Sequence, residues 1–260
     1  MTEIKRELNN FYRFQVQKWG RNRHRWITDF MAREMVFSWC KESASGKNVL
    51  DLGCGEGYFS RMVAQYAHSV LGIDLSDSMV DLAERQTASF QNVSFLRGDV
   101  CELQEYIEQE SFDICVSNFV LNNIPSELDI QRFFSSIFFV LRRRGKFCVS
   151  FPHPCFMLYN ADNEYIHYDS DDSFDYFVDR NNLFRGYASL VNNEGIYNER
   201  VDFINFHHTL SDVLNSIFKA GLHVVEICEP SPMDVLPKEI FNLSKIKNVP
   251  YYLLIFGEKR

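Results

Sequence analysis

The sequence lacks the long apolar runs of membrane proteins and exported precursors. No stretch reaches the roughly 18 consecutive apolar residues of a membrane span, and residues 1–6 are not followed by the apolar core of a secretory leader. We therefore expect a cytoplasmic protein that has no membrane partner.

Paired cysteines are lacking as well. The seven cysteines are odd in number, and none stands in a C-x-x-C pair, so neither a disulfide framework nor a zinc site is indicated. We expect no metal site, and we interpret most of these cysteines as small core residues.

An excess of positive charge is also missing. The chain has 27 Lys and Arg against 35 Asp and Glu, with a net charge of −8, whereas nucleic acids are bound chiefly through clustered basic side chains. This balance argues against a nucleic-acid partner. Two small basic clusters are Arg21, Arg23, His24 and Arg25, and Arg142, Arg143, Arg144 and Lys146 beside a predicted turn before a strand at 147–151. We interpret the second cluster as ordinary solvated positions.

What the chain does contain is a glycine-rich segment at residues 49–57, V-L-D-L-G-C-G-E-G. An apolar strand leads through Asp51 into a turn with Gly53, Gly55 and Gly57, and a helix follows. Because glycine has no side chain, the turn can be tight and a bulky ligand can approach the amides at the helix start. The segment predicts a nucleotide-type site, although dinucleotide-binding proteins space their glycines as G-x-G-x-x-G instead.

Three further apolar strands follow, each with a polar residue at its carboxyl end. The strand at 70–74 ends in Asp74, 74 − 51 = 23 residues after the first acid, where a carboxylate can accept both hydroxyls of a ribose. The others are at 93–100 and 111–118.

Together these four segments resemble the class I S-adenosylmethionine-dependent methyltransferases, at motif level over residues 45–151 and more loosely over 205–257. The resemblance implies S-adenosyl-L-methionine as cofactor. It also implies an α/β fold: a Rossmann-like, doubly wound, seven-stranded and mostly parallel sheet with helices on both faces, whose last strand is antiparallel. A capped helix from Thr209 to Gly221 and strands at 224–228 and 251–256 fit the end of that fold.

The resemblance also assigns roles to individual residues. Those expected to meet the methionine part or order the turn beneath it are Asp51, Gly53, Cys54, Gly55 and Gly57. Those expected around the ribose and adenine are Asp74, Leu75, Met79, Asp99 and Val100. Those expected near the reactive end are Asn118, Phe119 and Val120. Asn122 and Asn123 stand where the family commonly has leucine and histidine, so a histidine's role there is in doubt.

We divide the chain into an N-terminal helical cover (1–44), a cofactor-binding core (45–151), an insertion (152–208) and the end of the core (209–260). About sixty residues between the fifth strand and the capped helix are too many for an ordinary loop. The insertion is rich in aromatic residues, among them Phe156, Tyr159 and Tyr168. They either form a lid that excludes water from a small apolar ligand or build the insertion's own core.

Two histidines are candidate catalytic groups. His153 follows the fifth strand between two prolines, and with an ordinary pKa of roughly 6.5 it could act as a general base or bind the acceptor. His207 precedes the capped helix and could face the same pocket, whereas His208 is better explained by the helix entry. In the N-terminal segment, Tyr12 or Trp19 could touch the cofactor. A structural role is an equally good explanation for each of these residues.

The favoured function is methyl transfer from S-adenosylmethionine to an N, O or C atom of a small, partly apolar or aromatic metabolite. An RNA or protein methyltransferase is the alternative, and an inactive cofactor-binding regulator is a second one. The acceptor and the oligomeric state stay open.

Overall fold

The computed structural model describes residues 3–20, 24, 26–155, 165–169, 174–192 and 195–260. Phe156 and Tyr159 of the aromatic insertion lie outside these residues, as do Arg21, Arg23 and Arg25 of the first basic cluster.

The central element is a seven-stranded sheet in the order β3-β2-β1-β4-β5-β10-β9. Its strands are β1 (Asn48–Leu52), β2 (Ser69–Asp74), β3 (Val93–Arg97), β4 (Phe112–Asn118), β5 (Leu141–Pro152), β9 (Leu222–Cys228) and β10 (Tyr252–Lys259). The first five are mutually parallel, and β10 is antiparallel to both β5 and β9. The predicted fold class and the antiparallel last strand are confirmed.

Helices connect these strands. They are α1 (Glu3–Trp19), a π-helical stretch (Asp29–Arg33) that continues into α2 (Glu34–Ser43), α3 (Tyr58–Ala64), α4 (Asp77–Thr87), α5 (Glu127–Val140), α6 (Leu210–Lys219) and the short α7 (Pro232–Val235). Among the described residues, single turns of 3-10 helix lie at Leu103–Glu105, Leu121–Asn123 and Leu243–Lys245. The predicted cap of α6 is present, because the Thr209 hydroxyl accepts from the Asp212 amide while the Asp212 carboxylate accepts from the Thr209 amide.

The sheet is buried on both faces. In β1, Val49 belongs to one apolar cluster and Leu50 to the other, and both side chains are inaccessible to solvent. Alternate side chains of a strand point to opposite faces, so the apolar side chains of β1 are buried on both sides of the sheet. Five of the seven cysteines are buried, and all seven are free thiols.

The start of the fifth strand differs from the prediction. We expected a turn at the basic cluster and a strand at 147–151, but β5 begins at Leu141 and includes the cluster. Phe112 pairs with Leu141 and Ile114 with Lys146, so extra residues of β5 bulge out between them. Arg144 has a positive φ of 64°. The feature that suggested a turn is therefore a bulge within a continuous strand.

The insertion forms a second, three-stranded antiparallel sheet of β6 (Ile166–Tyr168), β7 (Leu183–Asn192) and β8 (Gly195–Phe206), in that order. Ile204 and Phe206 of β8 pack against Leu8 of α1, and Val201 packs against Trp26. The N-terminal helices and the insertion thus cover the end of the main sheet together.

Within the described part of the chain, helices long and apolar enough to cross a membrane are absent. The same residues contain no cluster of His, Cys, Asp and Glu that could hold a metal ion.

Candidate active site

The glycine turn after β1 has a left-handed backbone at three positions. Gly53, Gly55 and Gly57 have φ values of 69°, 55° and 79°, a region that side chains rarely enter. A Cβ on Gly57 would lie 2.6 Å from the ring of Phe95, whereas one on Gly55 would meet nothing within 4 Å. Gly57 therefore permits close packing at the start of α3, and Gly55 leaves open space above the turn.

That open space belongs to a cavity of about 200 Å³, here called the glycine-loop cavity. The predicted cofactor residues that line it are Gly53, Cys54, Gly55, Asp74, Leu75, Met79, Asp99, Val100, Asn118, Phe119 and Val120. Asp51 and Gly57 are absent from its described walls. Residues spread over the whole core in sequence thus meet at the carboxyl ends of adjacent strands, where open α/β sheets bind ligands.

Asp74 lies at the end of β2 and lines this cavity. Its two oxygens accept hydrogen bonds from the Gly55 amide and the Ser76 amide, each at 2.9 Å. Burial raises the pKa of this carboxyl, although the bonds from Ser76, Gly55 and Leu75 oppose the rise. A carboxylate has about four acceptor sites, so Asp74 keeps capacity to accept from a ligand hydroxyl.

Asp51 lies beneath the turn. Its carboxylate is 2% exposed and accepts a 2.6 Å hydrogen bond from the Ser60 hydroxyl, which ties β1 to α3. Burial raises the pKa of Asp51 to about 6, although the Ser60 bond and the charge of Arg33 oppose the rise. Of its two predicted roles, the geometry supports ordering of the turn.

The raised pKa of Asp51 predicts a pH-dependent difference between the wild type and Asp51→Asn. The pKa is 3.8 ordinarily and about 6 in the fold, so the contribution of Asp51 to stability is complete below pH 3.8 and is lost as the pH rises through 6. Asparagine does not titrate. We expect the free energy of unfolding of the variant, relative to the wild type, to rise between pH 4 and pH 6 by up to about 1.4 kcal/mol per pH unit. Urea unfolding at several pH values measures the free energy of unfolding of both proteins. If the difference between them does not change with pH, the raised pKa of Asp51 is contradicted.

Asp99 is bound by a residue that sequence analysis missed. The Lys5 ammonium donates to its Oδ2 at 2.6 Å, and the Cys101 amide donates to its Oδ1 at 3.0 Å. Burial alone would lower the pKa of Lys5, but the bond and charge of Asp99 outweigh it and the pKa is raised. The ion pair therefore holds α1 against Asp99, which is predicted to contact adenine.

Two polar atoms at the glycine-loop cavity are buried without a hydrogen-bond partner among the described residues, Asn118 Nδ2 and Asn9 Oδ1. One is a donor and the other an acceptor. Together with the free capacity of Asp74 and the space above Gly55, they fit a polar ligand of nucleoside type. S-adenosylmethionine has the ribose hydroxyls and the amino acid part that such a set would bind.

Phe119 marks one end of this cavity. Its φ of 61° is unusual for a residue with a side chain and costs about 1–3 kcal/mol. Its amide donates to Ser150 O at 2.8 Å, and its ring meets Tyr252 edge-on with centroids 5.3 Å apart. The Arg33 guanidinium lies over the same ring at 5.5 Å.

A second cavity, here called the ring-lined cavity, adjoins the first and has a volume of about 90 Å³. The residues that line both are Tyr12, Trp19, Arg33, Phe119 and Asn123. Seven of its described walls are aromatic: Tyr12, Trp19, Trp26, Phe119, Tyr168, Phe203 and Tyr252. It lies between the core, the N-terminal helices and the insertion.

Tyr12 and Asn123 join the N-terminal cover to the loop after β4. The Tyr12 hydroxyl donates to Asn123 Oδ1 at 2.8 Å, and Asn123 Nδ2 donates to Phe119 O at 3.0 Å. Burial and the charge of Asp74 raise the pKa of Tyr12, so its phenol stays protonated. Asn123 stands where the family commonly has histidine. Its hydrogen-bond partner there is Tyr12 of α1.

The two candidate catalytic histidines lie beside the ring-lined cavity, in a cavity that shares Asn122, Pro152, Tyr168 and Asn205 with it. His153 and His207 line a third cavity of about 40 Å³, here called the histidine cavity, and among the described residues the other two cavities have no histidine in their walls. His153 Nδ1 accepts from the Cys155 amide at 3.1 Å, and its Nε2 lies 2.7 Å from Glu229 Oε1. Burial lowers its pKa, opposed by Glu229. With both ring nitrogens bonded, His153 is poorly placed to accept a proton from an acceptor.

His207 and His208 are likewise bonded to the protein. His207 Nε2 lies 3.0 Å from Tyr176 O, and its ring packs edge-on against Phe174 and Tyr176. His208 Nε2 lies 2.7 Å from Ile124 O, and burial lowers its pKa to about 4. The expectation that His208 supports the entry to α6 fits this contact, whereas a catalytic role for His207 stays a prediction.

Comparison with known proteins agrees with the fold. Residues 50–149 match a family described as a methyltransferase domain. A demethylmenaquinone methyltransferase from Staphylococcus aureus (strain MRSA252) is 33% identical over 124 residues, 46% of this chain and 45% of that protein. A ubiquinone biosynthesis O-methyltransferase from Coxiella burnetii (strain Dugway 5J108-111) is 31% identical over 102 residues, 39% of this chain and 42% of that protein. The chain spans less than half the length of the curated relatives that it matches.

Among solved structures, an S-adenosylmethionine-dependent methyltransferase from Mesorhizobium loti superposes with a TM-score of 0.61 at 23% identity, covering 89% of this chain and all of that one. Residues 50–149 thus match a methyltransferase domain, and the chain has the fold of class I S-adenosylmethionine-dependent methyltransferases. The predicted resemblance is confirmed, and the cofactor that fold and domain imply is S-adenosylmethionine.

Proposed function

We propose that this chain transfers the methyl group of S-adenosylmethionine to a small, ring-bearing molecule that occupies the ring-lined cavity. The observation that carries the proposal is the shared boundary of two cavities, because Tyr12, Trp19, Arg33, Phe119 and Asn123 line both. A cofactor in one and an acceptor in the other would meet at these residues.

The polar residues of the glycine-loop cavity would hold the cofactor. Asp74 accepts the ribose hydroxyls, the amides of the glycine turn meet the methionine part, and Asp99 with Val100 meets the adenine. Lys5 and Tyr12 then close α1 over the bound molecule, since each is bonded to the core. This closure excludes water from the cavity.

Bound S-adenosylmethionine would supply a methyl group on a positively charged sulfur. The bond from the acceptor atom to that carbon would form as the carbon–sulfur bond breaks, S-adenosylhomocysteine would leave, and the acceptor's proton would pass to solvent. The chain's contribution is to position and desolvate the acceptor, and well-aligned reactants gain effective molarities of up to about 10⁸ M. Because the described walls of the ring-lined cavity include no histidine or carboxylate, the proposed reaction uses no side-chain base there.

The curated relatives support a ring-bearing acceptor, since two of the names concern quinones, demethylmenaquinone and ubiquinone. A small cavity with seven aromatic walls is suited to a flat, apolar ring.

The proposal predicts cofactor binding and turnover. We expect calorimetry to detect one site for S-adenosylmethionine and for S-adenosylhomocysteine, and we expect tritiated methyl transfer to a member of a panel of phenols, indoles and quinols. Binding of both compounds without transfer to any small molecule, but with transfer to tRNA or to a protein extract, would overturn the choice of acceptor. Absence of binding would overturn the proposal as a whole.

A further inference from the structure

Three buried polar atoms at the ring-lined cavity have no hydrogen-bond partner within the part of the chain that the structure describes. They are the Tyr252 hydroxyl, Asn122 Oδ1 and Trp19 Nε1. Leaving such a group unpaired costs about 1–3 kcal/mol, and Tyr252 is only 1% exposed. Unpaired buried groups at a cavity therefore indicate a ligand that pairs with them.

The orientation of the Asn122 amide is fixed by a short chain of hydrogen bonds. Asn122 Nδ2 donates to Asn205 Oδ1 at 2.6 Å, and Asn205 Nδ2 donates to the Tyr168 hydroxyl at 2.7 Å. The oxygen of Asn122 is left over, so it can only accept. Trp19 Nε1 can only donate, and the Tyr252 hydroxyl can do both.

The charge of the cavity restricts the ligand further. Its described walls include no Asp or Glu, and the one charged side chain among them is Arg33, whose guanidinium is paired with the buried Asp29. A charged ligand group would lose its water without gaining a counter-ion, which is costly in a buried site. The cavity therefore favours a neutral molecule.

We infer that the acceptor is an uncharged aromatic ring that carries a hydroxyl group, and that Tyr252 and Asn122 select it. This inference rests on the proposed function, because it names the substrate class of the same site. A hydroxyl can donate to Asn122 and accept from Tyr252 or Trp19, while the aromatic walls contact the ring. A carboxylate has no proton to donate to Asn122. An ammonium group would have no negatively charged side chain to pair with among the described walls of the cavity.

The inference is tested with four para-substituted ring probes on protein saturated with S-adenosylhomocysteine: 4-methylphenol, 4-methylbenzoate, 4-methylbenzylammonium and toluene. Ligand-observed NMR measures each dissociation constant at pH 7. We expect 4-methylphenol to bind about tenfold more tightly than either charged probe. Tyr252→Phe should weaken 4-methylphenol by about five- to tenfold, one neutral hydrogen bond, and should leave toluene unchanged.

Tyr251→Phe is the matched control, because Tyr251 is the adjacent residue, is equally buried at 1% exposure and is absent from the described walls of the cavity. We expect it to leave the binding of all four probes unchanged. Asn122→Asp is a second variant that adds a carboxylate, and it should reverse the preference toward 4-methylbenzylammonium. If Tyr252→Phe fails to fold, the inference is still tested by the order of probe affinities for the wild type and by the changed preference of Asn122→Asp.

Equal or tighter binding of a charged probe to the wild type, or an unaltered affinity of Tyr252→Phe for 4-methylphenol, would overturn the inference. S-adenosylhomocysteine binding is measured first and separately. If it fails while 4-methylphenol binding to the free protein still depends on Tyr252, the proposed function falls and the ligand class stands. If it succeeds while the probes rank otherwise, only the ligand class falls.

Discussion

Replacing Asp74 with asparagine is expected to weaken the binding of S-adenosylmethionine about 100-fold. The carboxylate already accepts from the Gly55 and Ser76 amides, and we propose that its remaining lone pairs accept the two ribose hydroxyls. Hydrogen bonds to a charged group contribute about 1.5–3 kcal/mol each. Asparagine has one acceptor oxygen, so it cannot serve both amides and both hydroxyls, and a loss of about 2.7 kcal/mol corresponds to 100-fold in affinity.

Isothermal titration calorimetry with S-adenosylmethionine and S-adenosylhomocysteine measures this loss. Asp77→Asn is the matched control, since Asp77 is three residues further on, its side chain is 47% exposed and it pairs with Arg97 at 3.7 Å. It is absent from the described walls of the glycine-loop cavity, so we expect it to bind the cofactor like the wild type. Thermal melting shows whether both variants fold. Equal affinities of the two folded variants would contradict the assignment of Asp74.

The cofactor side of the site could be predicted because its signals are local. A short apolar strand, a glycine turn and an acid at the next strand end place Gly53, Gly55 and Asp74 at one edge of a parallel sheet, whatever the rest of the chain does. The roles of the ten other predicted cofactor residues rest on the resemblance of these strands to the methyltransferase family, and they stay predictions. The bulge at Arg144 was missed, because a run of basic residues before a glycine has the same local pattern as a turn.

The part of the site formed by the N-terminal residues could not be predicted, because it depends on contacts between distant parts of the chain. Lys5 is 94 residues from Asp99, and Tyr12 is 111 residues from Asn123. Nothing in the N-terminal pattern distinguishes a cavity wall from ordinary core, so Tyr12 and Trp19 were candidates and Lys5 was missed. For the histidines, position is a weak signal: His153 follows a strand, which suggests a base, but Glu229 and the Cys155 amide contact its ring nitrogens. A catalytic role for His153 stays a prediction.

Replacing Gly53 with alanine is expected to cost about 2–5 kcal/mol of stability, enough to unfold a marginal protein. The backbone there has a φ of 69°, and a Cβ would lie 2.0 Å from Val120 Cγ2. A left-handed backbone costs a side chain about 1–2 kcal/mol, and overpacking adds about 1–3 kcal/mol. Because Val120 lines the glycine-loop cavity, any shift that relieves the overlap also deforms the site.

Gly46→Ala separates the two contributions. Gly46 has a nearly identical φ of 68°, but nothing lies within 4 Å of an added Cβ. Gly46→Ala should therefore lower the stability only through its left-handed backbone, by about 1–2 kcal/mol. Adding Val120→Ala to Gly53→Ala removes the overlapping methyl groups and leaves the Val120 Cβ at 3.2 Å. The double variant should therefore recover at least about 1 kcal/mol relative to the sum of the single variants, as measured by urea unfolding. If Gly53→Ala and Gly46→Ala cost the same, or if the two substitutions add without coupling, the close approach of Val120 is not what requires glycine at this position.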